Sequence, residues 1–231
     1  MVICGVVFDI DDTLYFEREF VRSGFAHVAA LAGRSESETR AVGEWLEDAF
    51  DAGVRADTFD RLLAAFPDLS ARVSTSNLVD AYRAHLPAIG LAPGVESTLN
   101  GLRARGLRLG VLSDGPLASQ AAKAAALGLN RWFEPILLTA SLGPHATKPS
   151  TVGFEAIARE WGIPHAELSY VADNPEKDFA GPRRLGWLTI RIRQPEQLRF
   201  AVEAPADEYR AAVEVGTLAA LPGCLGLEVP G

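Results

Sequence analysis

The chain carries short apolar runs that are typical of buried parallel strands, and amphipathic helical patterns separate most of them. The predicted strands are residues 2–8, 107–112, 135–138, 168–172 and 188–192. The predicted helices between them are residues 95–105, 117–127, 151–161 and 179–185. Because strand and helix alternate from Pro93 onward, the pattern predicts an α/β fold with an open, mostly parallel sheet and right-handed crossovers.

One interval, residues 15–92, contains no convincing strand. Its amphipathic segments are residues 16–31, 37–50, 58–65 and 77–85, separated by Gly33, Gly53 and Pro67. We therefore expect a helical unit over 15–92, inserted into an α/β core that comprises residues 1–14 and 93–231. Beyond Arg193 the pattern is weaker, and residues 211–215 are predicted as a final edge strand, followed by a short helix from Thr217.

Composition and charge exclude several classes of partner. The formal net charge is -8, so no global basic surface is available to hold nucleic acid or anionic lipid. No apolar run approaches the roughly 18 residues that a membrane-spanning helix needs. Cys4 and Cys224 have no spacing typical of a zinc site or a disulfide framework. These features predict a cytoplasmic protein without a nucleic-acid or membrane partner, and they leave its oligomeric state open.

The first candidate site lies where the first predicted strand ends, in the sequence Phe8-Asp9-Ile10-Asp11-Asp12-Thr13. Side chains alternate along an extended strand, so Asp9 and Asp11 are expected to project to the same side. In open α/β sheets ligands bind at the carboxyl ends of the strands. Two carboxylates there repel each other unless a divalent cation is present. The alternative is an acidic turn that closes a strand.

The second candidate segment, Ser113-Asp114-Gly115-Pro116, follows the next strand. Pro116 suits the first turn of a helix, and Gly115 allows the backbone to approach a ligand. A hydroxyl group followed by free N–H groups at a helix start can hold a phosphate. Taken alone, an ordinary helix N-cap explains the segment equally well.

The third candidate is Lys148, which Pro149 biases toward an extended backbone. Lysine is rare in this chain, where it occurs only at Lys123, Lys148 and Lys177. An ammonium group among carboxylates and a phosphate would neutralise both, although most lysines are simply solvated.

The fourth candidate segment follows the strand at 168–172, where Asp173 closes the strand and Asp178 begins a helix. Both carboxylates can face the same crevice, or both can be helix-capping residues. We assign no chemical role to the four neighbouring polar residues Asp12, Asn174, Glu176 and Lys177, which we interpret as turn and surface positions.

Together, the order carboxylate pair, hydroxyl, lysine, carboxylate pair resembles the haloacid dehalogenase-like hydrolase superfamily over essentially the whole chain. The inserted helices look like the α-helical cap of that superfamily, and the core like its Rossmann-like sheet. One departure is Ala172, where many members carry glycine before the acid.

The resemblance implies a role for each acid. Asp9 would be the nucleophile, and Asp11 the general acid and then the general base. A Mg²⁺ ion would be held by the Asp9 side chain, the Asp11 backbone carbonyl and Asp173, with Asp178 orienting its waters or touching it directly.

The resemblance also implies phosphate-binding groups. Ser113, the backbone N–H of Asp114 and Lys148 would hold the phosphoryl oxygens, with Gly115 beside them. Thr13 would fix the loop that positions Asp11. In the cap, Arg18 and Arg22 lie four residues apart. They could bind a second anionic group of the substrate, or form a solvated helix face, which is the commoner role of such a pair.

The implied activity is that of a Mg²⁺-dependent phosphomonoesterase acting on a small phosphorylated metabolite through an aspartyl-phosphate. Dehalogenases of the superfamily lack the second acid of the first segment, so Asp11 argues against that chemistry. A phosphonatase needs a cap lysine, and residues 15–92 contain none. A phosphosugar mutase and a catalytically silent binding module on the same fold remain as alternatives.

Overall fold

The computed structural model describes residues 2–227. It contains six strands, which are β1 (Gly5–Phe8), β2 (Arg108–Ser113), β3 (Ile136–Leu138), β4 (Leu168–Ala172), β5 (Leu188–Ile192) and β6 (Val213–Val215). The helices are α1 (Glu17–Ala32), α2 (Glu36–Asp51), α3 (Thr58–Ala65), α4 (Pro67–Ser70), α5 (Thr75–Ala84), α6 (Val95–Ala104), α7 (Leu117–Ala126), α8 (Val152–Trp161), α9 (Ala180–Arg184) and α10 (Leu221–Cys224).

The strands form one sheet in the order β3-β2-β1-β4-β5-β6, and every adjacent pair is parallel. The predicted α/β fold class is therefore confirmed. The chain builds outward from β1 to β3 on one side and from β4 to β6 on the other, so the strand order reverses beside β1. Such a reversal opens a crevice at the carboxyl ends of the strands.

The chain divides into two compact units, residues 1–17 with 90–231, and residues 18–89. The larger unit holds the sheet. Its core is aromatic around Phe154, whose ring packs edge-on against Tyr170 at 4.9 Å and against Trp187 at 5.4 Å. Gly5 in β1 lacks the side chain that would collide with Trp161 of α8, because a Cβ there would lie 2.7 Å from that ring. This close approach allows α8 to pack against the sheet.

The smaller unit is helical and has its own apolar interior. Phe25 of α1 makes edge-to-face contacts with Phe50 and Phe59, at centroid distances of 6.1 and 6.4 Å. Two of its helices begin at serine caps, Ser35 for α2 and Ser74 for α5. These caps satisfy N–H groups that would otherwise lack partners at the helix starts.

Several predicted boundaries differ from the observed ones. Pro67 separates α3, which ends at Ala65, from the helices that follow, as predicted. It is also the first residue of the short helix α4, which was not predicted, and its missing N–H costs nothing there. The first strand begins at Gly5 rather than at residue 2. The predicted edge strand is present as β6, parallel to β5. Over residues 2–227, no helix combines the length and apolar character that a bilayer crossing requires.

Candidate active site

Asp9 occupies the first position after β1, at the carboxyl edge of the sheet. Its backbone N–H donates to the carbonyl of Val171 in β4 at 3.0 Å, so the sheet's own ladder fixes its place. The side chain is buried, and its Oδ1 accepts a hydrogen bond from Lys148 Nζ at 2.9 Å. Burial alone would raise the pKa of Asp9, but the charges of Lys148 and Lys177 outweigh it and lower that pKa. Asp9 is therefore held as a carboxylate.

Lys148 lies at the centre of the site with no exposed side-chain surface. Its ammonium group contacts three oxygens, those of Asp9 Oδ1 at 2.9 Å, Asp178 Oδ1 at 2.7 Å and the Tyr170 hydroxyl at 2.8 Å. The Tyr170 hydroxyl in turn donates to the carbonyl of Leu112 at 3.2 Å. Burial would lower the pKa of Lys148, but Asp178 and Asp9 raise it well above the ordinary value. The lysine is therefore a permanent buried cation.

Three buried carboxylates, those of Asp9, Asp173 and Asp178, each offer an oxygen within 4.8 Å of the others. Asp173 Oδ2 is buried and has no hydrogen-bond partner among the described residues. Burial and the neighbouring charges of Asp178 and Asp9 raise the pKa of Asp173 well above the ordinary value. These carboxylates offer hard oxygen donors, and together they carry more negative charge than the one lysine among them neutralises. Such a site fits a Mg²⁺-sized cation.

A tight turn after β4 brings Asp173 and Asp178 together. The Asn174 N–H donates to Asp178 Oδ2 at 3.0 Å, and the Asn174 side chain accepts from Glu176 N at 2.9 Å. Behind the turn, Arg191 Nε donates to the Asp173 carbonyl at 2.9 Å. Asn174 thus has the structural role in the turn that the sequence predicts, and Arg191 is an additional support.

Gly181, in the helix α9 that follows this turn, allows α9 to approach the loop that carries Lys148. A Cβ at Gly181 would lie 2.7 Å from the carbonyl oxygen of Pro149, the residue after that lysine. We infer that the close approach of α9 to this loop is what permits the 2.7 Å ion pair between Lys148 and Asp178.

Asp12 shapes the loop after β1. It has a left-handed backbone conformation, with φ 51°, which an aspartate tolerates better than most residues. Its carboxylate accepts from the N–H groups of Glu17 and Leu198, each at 2.8 Å. Its carbonyl accepts from Gln197 Nε2 at 2.6 Å. The hydroxyl of Thr13 is buried without a hydrogen-bond partner among the described residues, so the contacts that hold the loop come from Asp12.

The carboxylate of Asp11 is held by three donors. Oδ1 accepts from Lys123 Nζ at 2.6 Å and, through a very short contact, from the Tyr15 hydroxyl. Oδ2 accepts from Gln120 Nε2 at 2.8 Å. The side chain lies outside the carboxylate cluster, so a metal contact from Asp11 would have to come from its backbone carbonyl, as the resemblance implies.

The second predicted segment lies at the end of β2, where Ser113 is buried and its hydroxyl has no hydrogen-bond partner among the described residues. Next to it, the Asp114 carboxylate accepts from the Thr139 hydroxyl at 2.8 Å and from the Lys148 N–H at 3.2 Å. Gly115 has φ 141°, a conformation that favours glycine, and a Cβ there would lie 2.6 Å from Gln120 Nε2.

A cavity of about 240 Å³ opens at this edge of the sheet. Its lining residues are Asp9, Asp11, Glu17, Asp114, Gly115, Pro116, Gln120, Lys123, Asp173, Asn174, Lys177 and Arg199. Seven of these were not predicted as site residues, namely Glu17, Pro116, Gln120, Lys123, Asn174, Lys177 and Arg199. Lys177 corrects an explicit expectation, because it was assigned to the surface and instead lines the cavity, with Nζ 3.2 Å from Asp114 Oδ2.

Some of these residues carried a usable signal in the sequence. Gln120 and Lys123 are three residues apart on α7, so they share one helix face, and lysine is rare in this chain. Arg199 carried no such signal, because its ion pair with Glu17, at 3.0 Å, joins segments 182 residues apart in the chain.

The two arginines predicted for the helical unit are placed as follows. Arg18 forms an ion pair with Asp51, and its guanidinium lies 5.2 Å from the centre of the Phe50 ring. Arg22 is exposed. A role for either in substrate binding stays a prediction.

Comparison with known proteins agrees with this geometry. A family model described as haloacid dehalogenase-like hydrolase matches residues 3–186. Two curated relatives are named glyceraldehyde 3-phosphate phosphatase. The protein from Methanopyrus kandleri is 30% identical over 84% of this chain and 85% of its own. The protein from Methanocaldococcus jannaschii is 27% identical over 83% and 85%.

Among solved structures, a putative hydrolase of the same superfamily from Bacillus subtilis, bound to magnesium, has a TM-score of 0.67. It is 16% identical and covers 98% of this chain and 100% of its own. At that identity the likeness concerns the fold alone. The family match, the two relatives and the arrangement of acids and lysine at the sheet edge lead to one conclusion: the chain belongs to the haloacid dehalogenase-like hydrolases, in their phosphatase branch.

Proposed function

We propose that the protein is a Mg²⁺-dependent phosphomonoesterase that hydrolyses a small phosphorylated metabolite through a phosphorylated Asp9. The observation that carries the proposal is the buried arrangement of Asp9 and Lys148 with Asp173 and Asp178, at the edge of a cavity lined by Asp9 and Asp173. It places an ionised carboxylate, the candidate nucleophile, beside carboxylate oxygens that could bind a divalent cation.

In the first step an Asp9 carboxylate oxygen attacks phosphorus, and the bond from phosphorus to the ester oxygen breaks. Asp11 gives a proton to that oxygen, which leaves as an alcohol. In the second step a water oxygen attacks phosphorus while Asp11 takes the water's proton. The bond to Asp9 then breaks, which regenerates the carboxylate and releases inorganic phosphate.

Asp11 suits both steps because its carboxylate is positioned by neighbours rather than by the substrate. Lys123, Gln120 and Tyr15 fix both of its oxygens beside the cavity. Orientation of this kind lowers the entropic cost of proton transfer. Either Tyr15 or Lys123 must release Oδ1, or Gln120 must release Oδ2, when Asp11 carries the proton.

Asp9, Asp173 and Asp178, with the backbone carbonyl of Asp11, would hold Mg²⁺. When bound, the ion neutralises the repulsion between nucleophile and phosphate and stabilises charge on the phosphoryl oxygens. The unpartnered hydroxyl of Ser113 and the backbone N–H of Asp114 would donate to the same oxygens. Lys148 keeps Asp9 ionised and holds the Asp178 side chain in place through the 2.7 Å ion pair.

Residues 15–92 would act as the cap that selects the alcohol part of the substrate and excludes water. The curated relatives are named for glyceraldehyde 3-phosphate, a three-carbon phosphate ester. A cavity of about 240 Å³ suits an ester of similar size. We therefore propose phosphorylated small carbohydrates as the substrate class.

The proposal is tested by measuring phosphate release from a panel of phosphate esters with Mg²⁺ and with EDTA. The panel contains glyceraldehyde 3-phosphate, sugar phosphates, phosphoglycolate and nucleoside monophosphates. We expect metal-dependent release that is fastest for small carbohydrate esters. Release that EDTA does not affect, or no release from any ester, contradicts the proposal.

Asp11→Asn is expected to slow turnover of alkyl phosphates by about 10²–10⁴-fold, the usual contribution of general acid–base catalysis. With p-nitrophenyl phosphate the leaving group needs no proton, so the first step stays fast while hydrolysis of phosphorylated Asp9 slows. Stopped-flow measurement should then show a burst of p-nitrophenol followed by slow turnover. Glu176→Gln, a change at an exposed residue, is the control and should behave as wild type. Equal slowing of both substrates without a burst would contradict the assignment.

Asp173→Asn is expected to raise the Mg²⁺ concentration needed for half-maximal activity. It should also stabilise the metal-free protein near pH 8. The folded-state pKa of Asp173 is raised, so wild type loses stability as the pH rises through that pKa, and asparagine removes this loss. Phosphate release titrated with Mg²⁺ measures the first effect, and thermal unfolding with EDTA and with Mg²⁺ measures the second. We expect Mg²⁺ to raise the Tm of wild type more than that of the variant. An equal rise in both would show that Asp173 does not bind the ion.

A further inference from the structure

An ion pair between Glu17 and Arg199 lines the same cavity as the candidate nucleophile, and both residues belong to the larger of the two units. Arg199 Nη1 donates to Glu17 Oε2 at 3.0 Å. The side chains of Arg199 and Glu17 are 36% and 25% exposed, so both still meet solvent. Among the described residues, the guanidinium group has no other hydrogen-bond partner, and Glu17 Oε1 has none. The pair therefore keeps unused N–H donors and an unused carboxylate acceptor at the cavity wall.

Backbone contacts fix the place of this pair. The carboxylate of Asp12 accepts from the N–H of Glu17 and from that of the residue before Arg199, each at 2.8 Å. The carbonyl of Arg199 accepts from Arg191 Nη2 at 3.1 Å. Nε of the same Arg191 side chain donates to the carbonyl of Asp173 at 2.9 Å. The segment that carries Arg199 is thus tied to the loop after β1 and to the turn after β4, which carry the acids of the site.

Each of the three cationic side chains that line the cavity is already paired with a carboxylate that also lines it. The pairs are Lys123 with Asp11 at 2.6 Å, Lys177 with Asp114 at 3.2 Å, and Arg199 with Glu17 at 3.0 Å. A second anionic group on the substrate would therefore compete with a carboxylate for its cation. A neutral hydroxyl group avoids this competition, because its oxygen accepts from a guanidinium N–H while its hydrogen is donated to a carboxylate oxygen.

We propose that Glu17 and Arg199 are specificity-determining residues that bind a hydroxyl group on the alcohol part of the substrate. The inference rests on the proposed phosphatase function, and it narrows the substrate class to phosphate esters of neutral polyols. The hydroxyl oxygen accepts from an N–H of Arg199, and the hydroxyl hydrogen is donated to Glu17 Oε1. Esters that carry a carboxylate are disfavoured, because Glu17 repels them and already neutralises Arg199.

The test uses three esters built on three carbon atoms. Glycerol 3-phosphate has two free hydroxyl groups, propyl phosphate has none, and 3-phosphoglycerate carries a carboxylate. We expect the kcat/KM of wild type to be about 10–100-fold higher for glycerol 3-phosphate than for propyl phosphate, the usual contribution of hydrogen bonds to charged groups. Arg199→Met should bring this ratio close to one by lowering kcat/KM for glycerol 3-phosphate alone. Arg199→Lys should restore part of the ratio.

Glu17→Gln separates the charge of Glu17 from its hydrogen bonding. Glutamine keeps an oxygen that accepts a hydrogen bond, but it removes the charge that neutralises Arg199. We therefore expect kcat/KM for 3-phosphoglycerate to rise relative to that for glycerol 3-phosphate, and an unchanged ratio would overturn the role of Glu17. Arg184→Met, which removes an exposed arginine at the end of α9, is the control and should keep the wild-type ratios.

Equal losses with glycerol 3-phosphate and propyl phosphate in Arg199→Met would indicate a structural role only and would overturn the proposal. A wild-type protein that does not distinguish these two esters, or that prefers 3-phosphoglycerate, would also overturn it. If methionine prevents folding, Arg199→Gln replaces it in the same assays.

If wild type releases no phosphate from any ester, the phosphatase function fails by itself. Calorimetric titration of glycerol 3-phosphate and propyl phosphate in Mg²⁺ buffer then still tests the pair. Tighter binding of glycerol 3-phosphate that Arg199→Met abolishes would support the proposal. Equal affinity for the two esters, or no binding of either, would overturn it.

Discussion

Asp9→Asn is expected to fold normally and to lose phosphate release by at least about a thousandfold, because an amide cannot form the acyl-phosphate bond. The fold should survive because asparagine keeps an oxygen in the position that accepts the 2.9 Å hydrogen bond from Lys148. The measurement is steady-state phosphate release from the best ester of the panel, together with thermal unfolding. A large loss of phosphate release with little change in the Tm is what identifies a nucleophile.

The control for this prediction is Asp12→Asn, which changes the carboxylate three positions along the same loop that accepts from Glu17 and Leu198. Asp12 does not line the cavity. We expect Asp12→Asn to lower the Tm more than Asp9→Asn does, and to retain most activity at temperatures where it is folded. An Asp9→Asn protein with substantial activity, shown by mass spectrometry to contain asparagine, would contradict the nucleophile assignment.

Lys148→Met is expected to destabilise the metal-free protein by about 3–5 kcal/mol, the usual cost of leaving a buried charge without its partner. The lysine is the common partner of Asp9 and Asp178, and Asp173 adds a third buried carboxylate beside them. Urea unfolding at pH 8 in EDTA measures the effect. Mg²⁺ should recover part of the lost stability, since it would neutralise the same carboxylates.

Tyr170→Phe is the matched control for Lys148→Met. It removes one neutral partner of the ammonium group, which lies 2.8 Å away, and leaves both ion pairs. We expect it to cost about 1 kcal/mol. If the two variants were equally stable, the buried ion pairs would contribute little, and the account of Lys148 as the organiser of the carboxylates would be wrong.

The sheet could be predicted because its strands are apolar runs too short for helices, as in residues 168–172. Helix boundaries were harder to predict. Proline disrupts a helix interior but suits a first turn, so Pro67 separates α3 from the next helices, as predicted, and also begins the short helix α4, which was missed. The N-terminal strand was predicted too long because Val2 and Ile3 are apolar, although the ladder with β2 begins at Gly5.

The acids and Lys148 could be predicted because each follows a strand, and parallel strands end at one edge. Sequence did not indicate which lysine faces the cavity. Burial and ion pairing decide that, and these depend on Tyr170 and Asp178, which lie 22 and 30 positions from Lys148 in the chain. The contacts of Asp11 with Lys123 and Gln120 likewise arise only when α7 packs beside the loop after β1.

The central claim is that Asp9 accepts the phosphoryl group. The most direct measurement is acid quenching of the Asp11→Asn variant during turnover of p-nitrophenyl phosphate, followed by borohydride reduction and peptide mass spectrometry. The account predicts a phosphorylated peptide containing Asp9, and homoserine at that position after reduction. Burst formation of p-nitrophenol with Asp9 unmodified, or with phosphate on another residue, would contradict it.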